Sequence, residues 1–280
     1  MNVVFFNIGC PSYLSASIQQ AALHNEVTLI GDDSNKHVAS LKNVRHVNYK
    51  TVFVDGDRFI SKYVHLSSNT REFELLSFIR WFCIRNFLRD EKISQCFYSD
   101  SDNLIYTKIA EAHNNLGSPS LALNIPQHQP QFRDSAAATS SFWSNESLED
   151  FCDFLFLMYE DDKTFNNLLK PKWNHHHKNS ISGGICDMTA LWHFSNKVGD
   201  VSVLTKVSAS HCTFDHNINS SENHLREEYP LLNKRKDIKM KNGQPYCFNL
   251  IKNIDVAFHT LHFQGPAKNL INSYSTYNDY

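Results

Sequence analysis

Residues 3–33 read VVFFNIGCPSYLSASIQQAALHNEVTLIGDD. An apolar run (VVFFNIG) ends in a glycine, the short break CPS follows, residues 13–25 have helical spacing, and a second apolar run (EVTLIGDD) closes on two aspartates. Strand, helix and strand in so short a span form a βαβ unit, which favours parallel pairing and places ligand-binding loops at the carboxyl ends of the strands. The expected class is α/β, with a Rossmann-like, mixed but mostly parallel central sheet flanked by helices.

Working outward, the 280 residues show no composition shift that divides them, and a hydrophobic share of 41% supports a substantial core. A formal net charge of −2 gives no general electrostatic case for nucleic acid as a partner. Seven cysteines are scattered without a C-x-x-C pair, which suits a reduced compartment. The start MNVVFFNIG lacks a basic n-region and a cleavage site, and the apolar stretch FCDFLFLMY is too short for a bilayer. The expectation is a cytoplasmic protein with no transmembrane segment.

Further along, Asp55-Gly56 lies between apolar runs and reads as a hairpin turn, so the D-x-D of Asp55 and Asp57 is assigned to turn chemistry. Residues 70–89 form a buried helix capped by Thr70. A strand over Ile93–Tyr98 follows, and residues 103–117, NLIYTKIAEAHNNLG, read as another helix ending at Gly117. Residues 118–147, with DSAAATSS, read as loops around the short strand SLALN, a surface excursion more than a lid. Helices around LEDFCDFLFLMYED and KTFNNLLK lead to HHH at 175–177, expected in a solvated loop, since consecutive residues of an extended chain point alternately and cannot share a zinc ion. Residues 220–255 resist assignment; NKRKDIKMK from 233 reads as a solvated basic face, with contact to acidic glycans or lipid headgroups as the lesser reading.

The chemistry concentrates at two places. CFYSDSDNLIY (96–106) sets Asp100 and Asp102 at i and i+2, side by side on an extended chain, where they repel unless a cation lies between them. Paired carboxylates at a strand end suit Mg²⁺ or Mn²⁺, hard ions that commonly share such ligands with a diphosphate. HFQGPAK (262–268) is the second: His262 offers a metal a nitrogen, Gly265 lets the backbone approach phosphate oxygens, and Lys268 supplies charge to the same oxygens. His259 and His262 would face opposite ways on a strand, so only one can reach the metal, and the motif favours His262. In SGGICDM (182–188), two glycines would let the backbone pass close to a sugar, and Asp187 either accepts a proton as general base or complements a helix dipole.

Asp100-Ser101-Asp102 together with the HFQGPAK motif resembles the metal and diphosphate site of nucleotide-sugar glycosyltransferases of the GT-A fold, particularly the glycogenin and bacterial lipopolysaccharide galactosyltransferase group. FELLSFIRWFCIRNF resembles the helix before the D-x-D in small bacterial and viral enzymes of that fold. The resemblance is loose over the first 110 residues, sharper over the last twenty, and touches the middle only at SGGICDM. It implies one GT-A catalytic domain over 1–280: a nucleotide-binding half (1–110) and an acceptor half carrying the C-terminal metal and diphosphate loop (111–280). It further implies that Ile8, Gly9, Tyr13 and Asp32 hold the base and ribose, commonly of uridine. Asp100 reaches toward the ribose while Asp102 makes the tighter metal contact, and Ser101 lies between them. Arg80 lies near the diphosphate or pairs with a D-x-D carboxylate; Arg85 is similarly placed among apolar helix neighbours, and either guanidinium requires an anion there.

The implied partners are a nucleotide-diphosphate sugar, commonly a UDP-sugar, and a glycan or glycolipid acceptor, with peripheral membrane contact compatible. The alternatives are a nucleotidyltransferase or nucleotide-sugar hydrolase and a non-catalytic nucleotide-sugar-binding module. Against the nucleotidyltransferase, NIGCPSYL has no Lys or Arg.

Overall fold

The computed structural model describes residues 1–276. Strand β1 (Asn2–Phe6) pairs in parallel with β2 (Glu26–Gly31) after helix α1 (Leu14–Ala22), and β2 with β3 (Val44–Asn48). Val3, Val4 and Phe5 are all buried, because helices cover both faces of this part of the sheet. Asp55-Gly56 makes no hairpin: it opens helix α2 (Gly56–Lys62), and the Asp55 carboxylate pairs with the buried Arg85 of helix α3 (Arg71–Asp90). Asp and Gly serve helix starts as readily as turns, and Arg85 decides between them.

Thr70 caps α3, its hydroxyl accepting from the Phe73 amide at 3.4 Å. Phe78, Trp81, Phe82, Ile84, Phe87 and Leu88 are buried, and the Trp81 ring lies 5.0 Å from Tyr98 and 5.2 Å from Trp143. Truncating Trp81 to alanine would cost about 3–5 kcal/mol. This packing leaves Arg80 at the sheet's carboxyl edge with its position set by its neighbours.

Strand β4 (Gln95–Ser99) lies parallel to β1, and the chain then turns into β5 (Asn103–Ile105) before helix α4 (Ile109–Asn115). The helix expected over 103–117 is therefore a strand and a shorter helix. A second revision follows: DSAAATSS belongs to no loop excursion but leads into β7 (Ala137–Ser144), antiparallel to both β4 and β6 (Leu121–Asn124). The alanines and serines of β7 have low strand propensity, and its serine hydroxyls find partners inside the sheet, as when the Asn103 amide donates to Ser140 Oγ at 2.7 Å.

Helices α5 (Asn145–Glu160), α6 (Asp162–Thr164) and, after a π-helical turn, α7 (Lys170–Lys178) follow. The three histidines expected in a loop lie instead in the last turn of α7. Helix α8 (Asp187–Val198) precedes β8 (Ser202–Val203), which closes a seven-stranded sheet of order β3-β2-β1-β4-β7-β6-β8.

The unassigned C-terminal region is strand-rich: β9 (Cys212–Phe214), the hairpin β10 (Leu231–Leu232) and β11 (Arg235–Lys236), then β12 (Lys239–Lys241), β13 (Gln244–Asn249) and β14 (Ile254–His262). Strands β12-β13-β14-β5 form a second sheet, with β9 alongside β14. The basic run at 233–241 is not uniformly solvated, for Lys236 is fully buried against Asp215. After β14 come a 3₁₀ turn over Gly265–Leu270 and helix α9 (Ile271–Tyr274). Among the described residues no helix is long and apolar enough to cross a membrane.

Candidate active site

Strand order reverses between β1 and β4, since β2 and β3 lie to one side and β4 to the other. A crevice forms at such a switch point, outside the carboxyl ends of the strands. Asn7 to Gly9, Asp32 and Asp100 to Asp102 all emerge there.

Asp100 and Asp102 meet in a turn, not on an extended strand. The Asp100 amide donates to Thr139 O at 3.0 Å, the Asn103 amide donates to Asp100 O at 3.2 Å, and the chain reverses into β5. Strand β14 pairs antiparallel with β5, placing His262 opposite Asn103, and the Phe263 amide donates to Asp102 O at 2.9 Å. This pairing brings groups far apart in sequence together. One ligand atom each from Asp100, Asp102 and His262 lie within 4.8 Å of one another.

The positive charge required by the paired carboxylates comes from the chain. Lys268 Nζ is 3.0 Å from one Asp102 oxygen and His262 Nε2 is 3.5 Å from the other. Burial opposes the Asp102 carboxylate, but His262 and Lys268 outweigh it and hold its pKa below the ordinary value. Burial likewise opposes the imidazolium of His262, yet Asp102 prevails and raises its pKa to about 9. His262 Nδ1–H donates to His216 O at 2.7 Å, which fixes the tautomer and leaves Nε2 facing the carboxylates. Two carboxylate oxygens and one oriented imidazole nitrogen fit a divalent cation. Gly265 has φ +60 and open space where a Cβ would stand, so its backbone is accessible.

Arg80 bridges the site. It donates through Nη1 to Asp100 Oδ1 and to Tyr98 OH, both at 2.8 Å, and through Nη2 to Asp187 Oδ2. Burial alone would lower its pKa, but Asp187, Tyr98 and Asp100 raise it well above the usual value. Asp187, the first residue of α8, is only 3% exposed, and its Oδ2 also accepts from Trp81 Nε1 at 3.0 Å. Arg85 sits apart, paired with Asp55 and, at 3.5 Å, with Glu149. The two glycines differ: Gly183 has open space where a Cβ would stand, whereas Gly184 does not. A Cβ on Gly184 would meet Leu66 O at 2.3 Å, so this residue admits the close approach of the Leu66–Ser67 backbone, with which it forms an isolated β-bridge at Ser67.

At the opposite end, Asp32 caps the turn after β2 and accepts from the Gly9 amide at 2.9 Å. Burial raises its pKa, but hydrogen bonds from Ser34 and Gly9 more than compensate and lower it. The part-buried Ile8 packs against the core, and Tyr13 lies under Lys268, whose Nζ is 5.5 Å from the ring centroid. Ser101 Oγ donates to Asn7 Oδ1 at 2.8 Å, joining the D-x-D turn to the end of β1. His259 is excluded: it bonds Thr107 at 3.2 Å and stacks on Phe214.

Several residues of the site escaped the sequence reading. Tyr98, whose hydroxyl donates to Asp100 Oδ1 at 2.6 Å, stands two residues before Asp100, and strand parity was its signal. Asp215 accepts from the His262 amide at 3.0 Å through one oxygen and from Lys236 Nζ at 2.8 Å through the other. No local pattern marks that pair.

No protein-family model matches this sequence, and no curated protein matches it significantly. Solved structures do. The galactosyltransferase LgtC in complex with donor and acceptor sugar analogues is 14% identical, with 98% of this chain and 95% of that one covered at a TM-score of 0.50. An active-site mutant of LgtC is 15% identical, covering 100% and 95% at a TM-score of 0.52. The chain therefore has the GT-A fold.

Proposed function

We propose that this protein is a metal-dependent glycosyltransferase moving a sugar from a nucleotide-diphosphate donor, a UDP-sugar, to a hydroxyl of a glycan or glycolipid. The observation that carries the reading is the convergence of Asp100, Asp102 and His262, with Lys268 on Asp102, at the switch point of a GT-A sheet. Bound Mn²⁺ or Mg²⁺ would supply Lewis-acid stabilisation of the charge that grows on the leaving diphosphate.

In this reading Lys268, released from Asp102, turns its charge to the phosphate oxygens, and the open backbone at Gly265 lies against them. Gly9 and Asp32 hold the nucleoside end, with Ile8 and Tyr13 bordering it. Asp187 serves as a positioning residue: committed to Arg80 and Trp81, it orients the guanidinium that fixes Asp100.

The test is Asp102→Asn, assayed with a panel of nucleotide sugars in excess Mn²⁺. Loss of metal-dependent UDP binding and of both donor hydrolysis and transfer is expected, with a smaller loss for Asp100→Asn, because Arg80 and Tyr98 already share that carboxylate. Unchanged turnover in Asp102→Asn would refute the site. Binding without hydrolysis or transfer in the unaltered protein would instead make it a binding module.

A further inference from the structure

Two turns, one in the separate β10–β11 hairpin and one in the second sheet, end in aliphatic side chains. In the β10–β11 hairpin, Leu231 and Leu232 are 45% and 57% exposed and lead into Asn233 and Lys234, both at positive φ. In the turn between β13 and β14, Leu250 and Ile251 are 52% and 53% exposed, followed by Lys252. Asn, Asp and Gly usually occupy such tips, and the asparagines here do flank the aliphatic pairs.

These tips are held in place. Asn249 Oδ1 accepts from the amides of Ile251 and Lys252 at 3.1 and 2.8 Å, and the Leu250 amide donates to Glu228 O at 2.8 Å, three residues before Leu231. The second turn is thereby tied to the chain that enters the first. Burial of the aliphatic groups within this molecule is not what the turns are built for.

The unpaired charges carried by the two tips themselves are basic. Among the described residues Lys234, Arg235 and Lys252 make no ion pair, whereas Asp237 and Asp255 are each tied to a lysine, at 2.7 and 2.8 Å. Glu227 is the remaining exposed acid on the approach to the first tip. Lys252 also borders an open cavity of about 460 Å³ with Ser208 and His211, which has room for a polar headgroup.

We propose that these two tips dock the protein on an anionic lipid bilayer, the aliphatic pairs entering the interface and Lys234, Arg235 and Lys252 meeting lipid phosphates. Apolar side chains beside cations are the chemistry of interfacial membrane binding. A protein partner is disfavoured, because interface anchors are typically aromatic residues in a packed central patch, and these are aliphatic side chains on separate turns. The proposal stands apart from the sugar-transfer reading, although a glycolipid acceptor would lie in the same surface.

The experiment is co-sedimentation of the full chain with vesicles of phosphatidylcholine alone or with about one-third phosphatidylglycerol, at low and high salt. The protein should bind the anionic vesicles and be released by salt. The pairs Leu231→Ser with Leu232→Ser, and Leu250→Ser with Ile251→Ser, should each lower partitioning about tenfold, and all four together should abolish it. Lys234→Glu with Lys252→Glu should lose the preference for anionic lipid. Exposed turn positions leave the fold intact, which thermal unfolding checks, and metal-dependent UDP binding serves as a separate readout of the site. Absence of binding by the unaltered protein, or unchanged binding by the fourfold variant, overturns the proposal. So does a variant that turns a dimer into a monomer without changing sedimentation, which would assign the tips to a second copy of this chain.

Discussion

Raising the pH from 6.5 to 8.5 should tighten Mn²⁺ binding about a hundredfold, because the ion and a proton compete for one nitrogen. Asp102 holds His262 protonated with a pKa of about 9, and the only orientation His216 allows points Nε2 at the carboxylates. Below that value each pH unit therefore costs the ion about 1.4 kcal/mol, and two units amount to about 2.7 kcal/mol. Calorimetry in buffers of different ionisation enthalpy reads the effect directly: about one proton should be released per ion at the lower pH, and His262→Gln should abolish both release and slope. Stability of the metal-free protein carries the opposite sign. With the folded pKa raised above the unfolded value near 6.5, the stabilisation from protonated His262 is complete below about pH 6.5 and is lost as pH rises through about 9. A flat metal affinity across this range, with heats independent of buffer, would refute the assignment of His262 as a ligand.

The interior makes further predictions. Lys236→Met leaves Asp215 charged in a fully buried site and should cost about 3–5 kcal/mol, seen as a large drop in the thermal midpoint, while adding Asp215→Asn should recover part of the loss. Arg80→Met should destabilise by a similar ~3–5 kcal/mol through the stranded Asp187 and also weaken metal-dependent UDP binding; loss of stability without loss of binding would remove Arg80 from the site. Gly184→Ala, which forces a Cβ to 2.3 Å from Leu66 O, should cost roughly 1–3 kcal/mol or more in denaturant unfolding, whereas the open space at Gly183 should leave only a backbone penalty there.

How much of this was readable beforehand follows from the range of the forces involved. Hydrophobic periodicity and a glycine break are local, so the β1-α1-β2 opening and the long helix after Thr70 stand in the chain as expected. The two chemical motifs were legible because their spacing is itself the signal, although Asp100 and Asp102 meet in a turn and not on an extended chain. Elements of small polar residues were missed, since Ala-Ser-Thr runs such as β7 become strands only when neighbours on both sides supply hydrogen bonds. Asp55-Gly56 went astray for a related reason: its local chemistry suits a turn or a helix start, and Arg85, thirty positions on, decides which.

Residue order alone settled the α/β class and named the acids, the histidine and the lysine of the candidate site. Only the tertiary structure decided that they meet, because the pairing of β5 with β14 sets His262 beside Asp102. Tertiary structure also decided that one lysine of a basic run, Lys236, is buried beneath that histidine while its neighbours Lys234 and Arg235 stay at the surface. Charge and polarity are properties of a side chain, but burial and partnership are properties of the space around it, which distant segments fill.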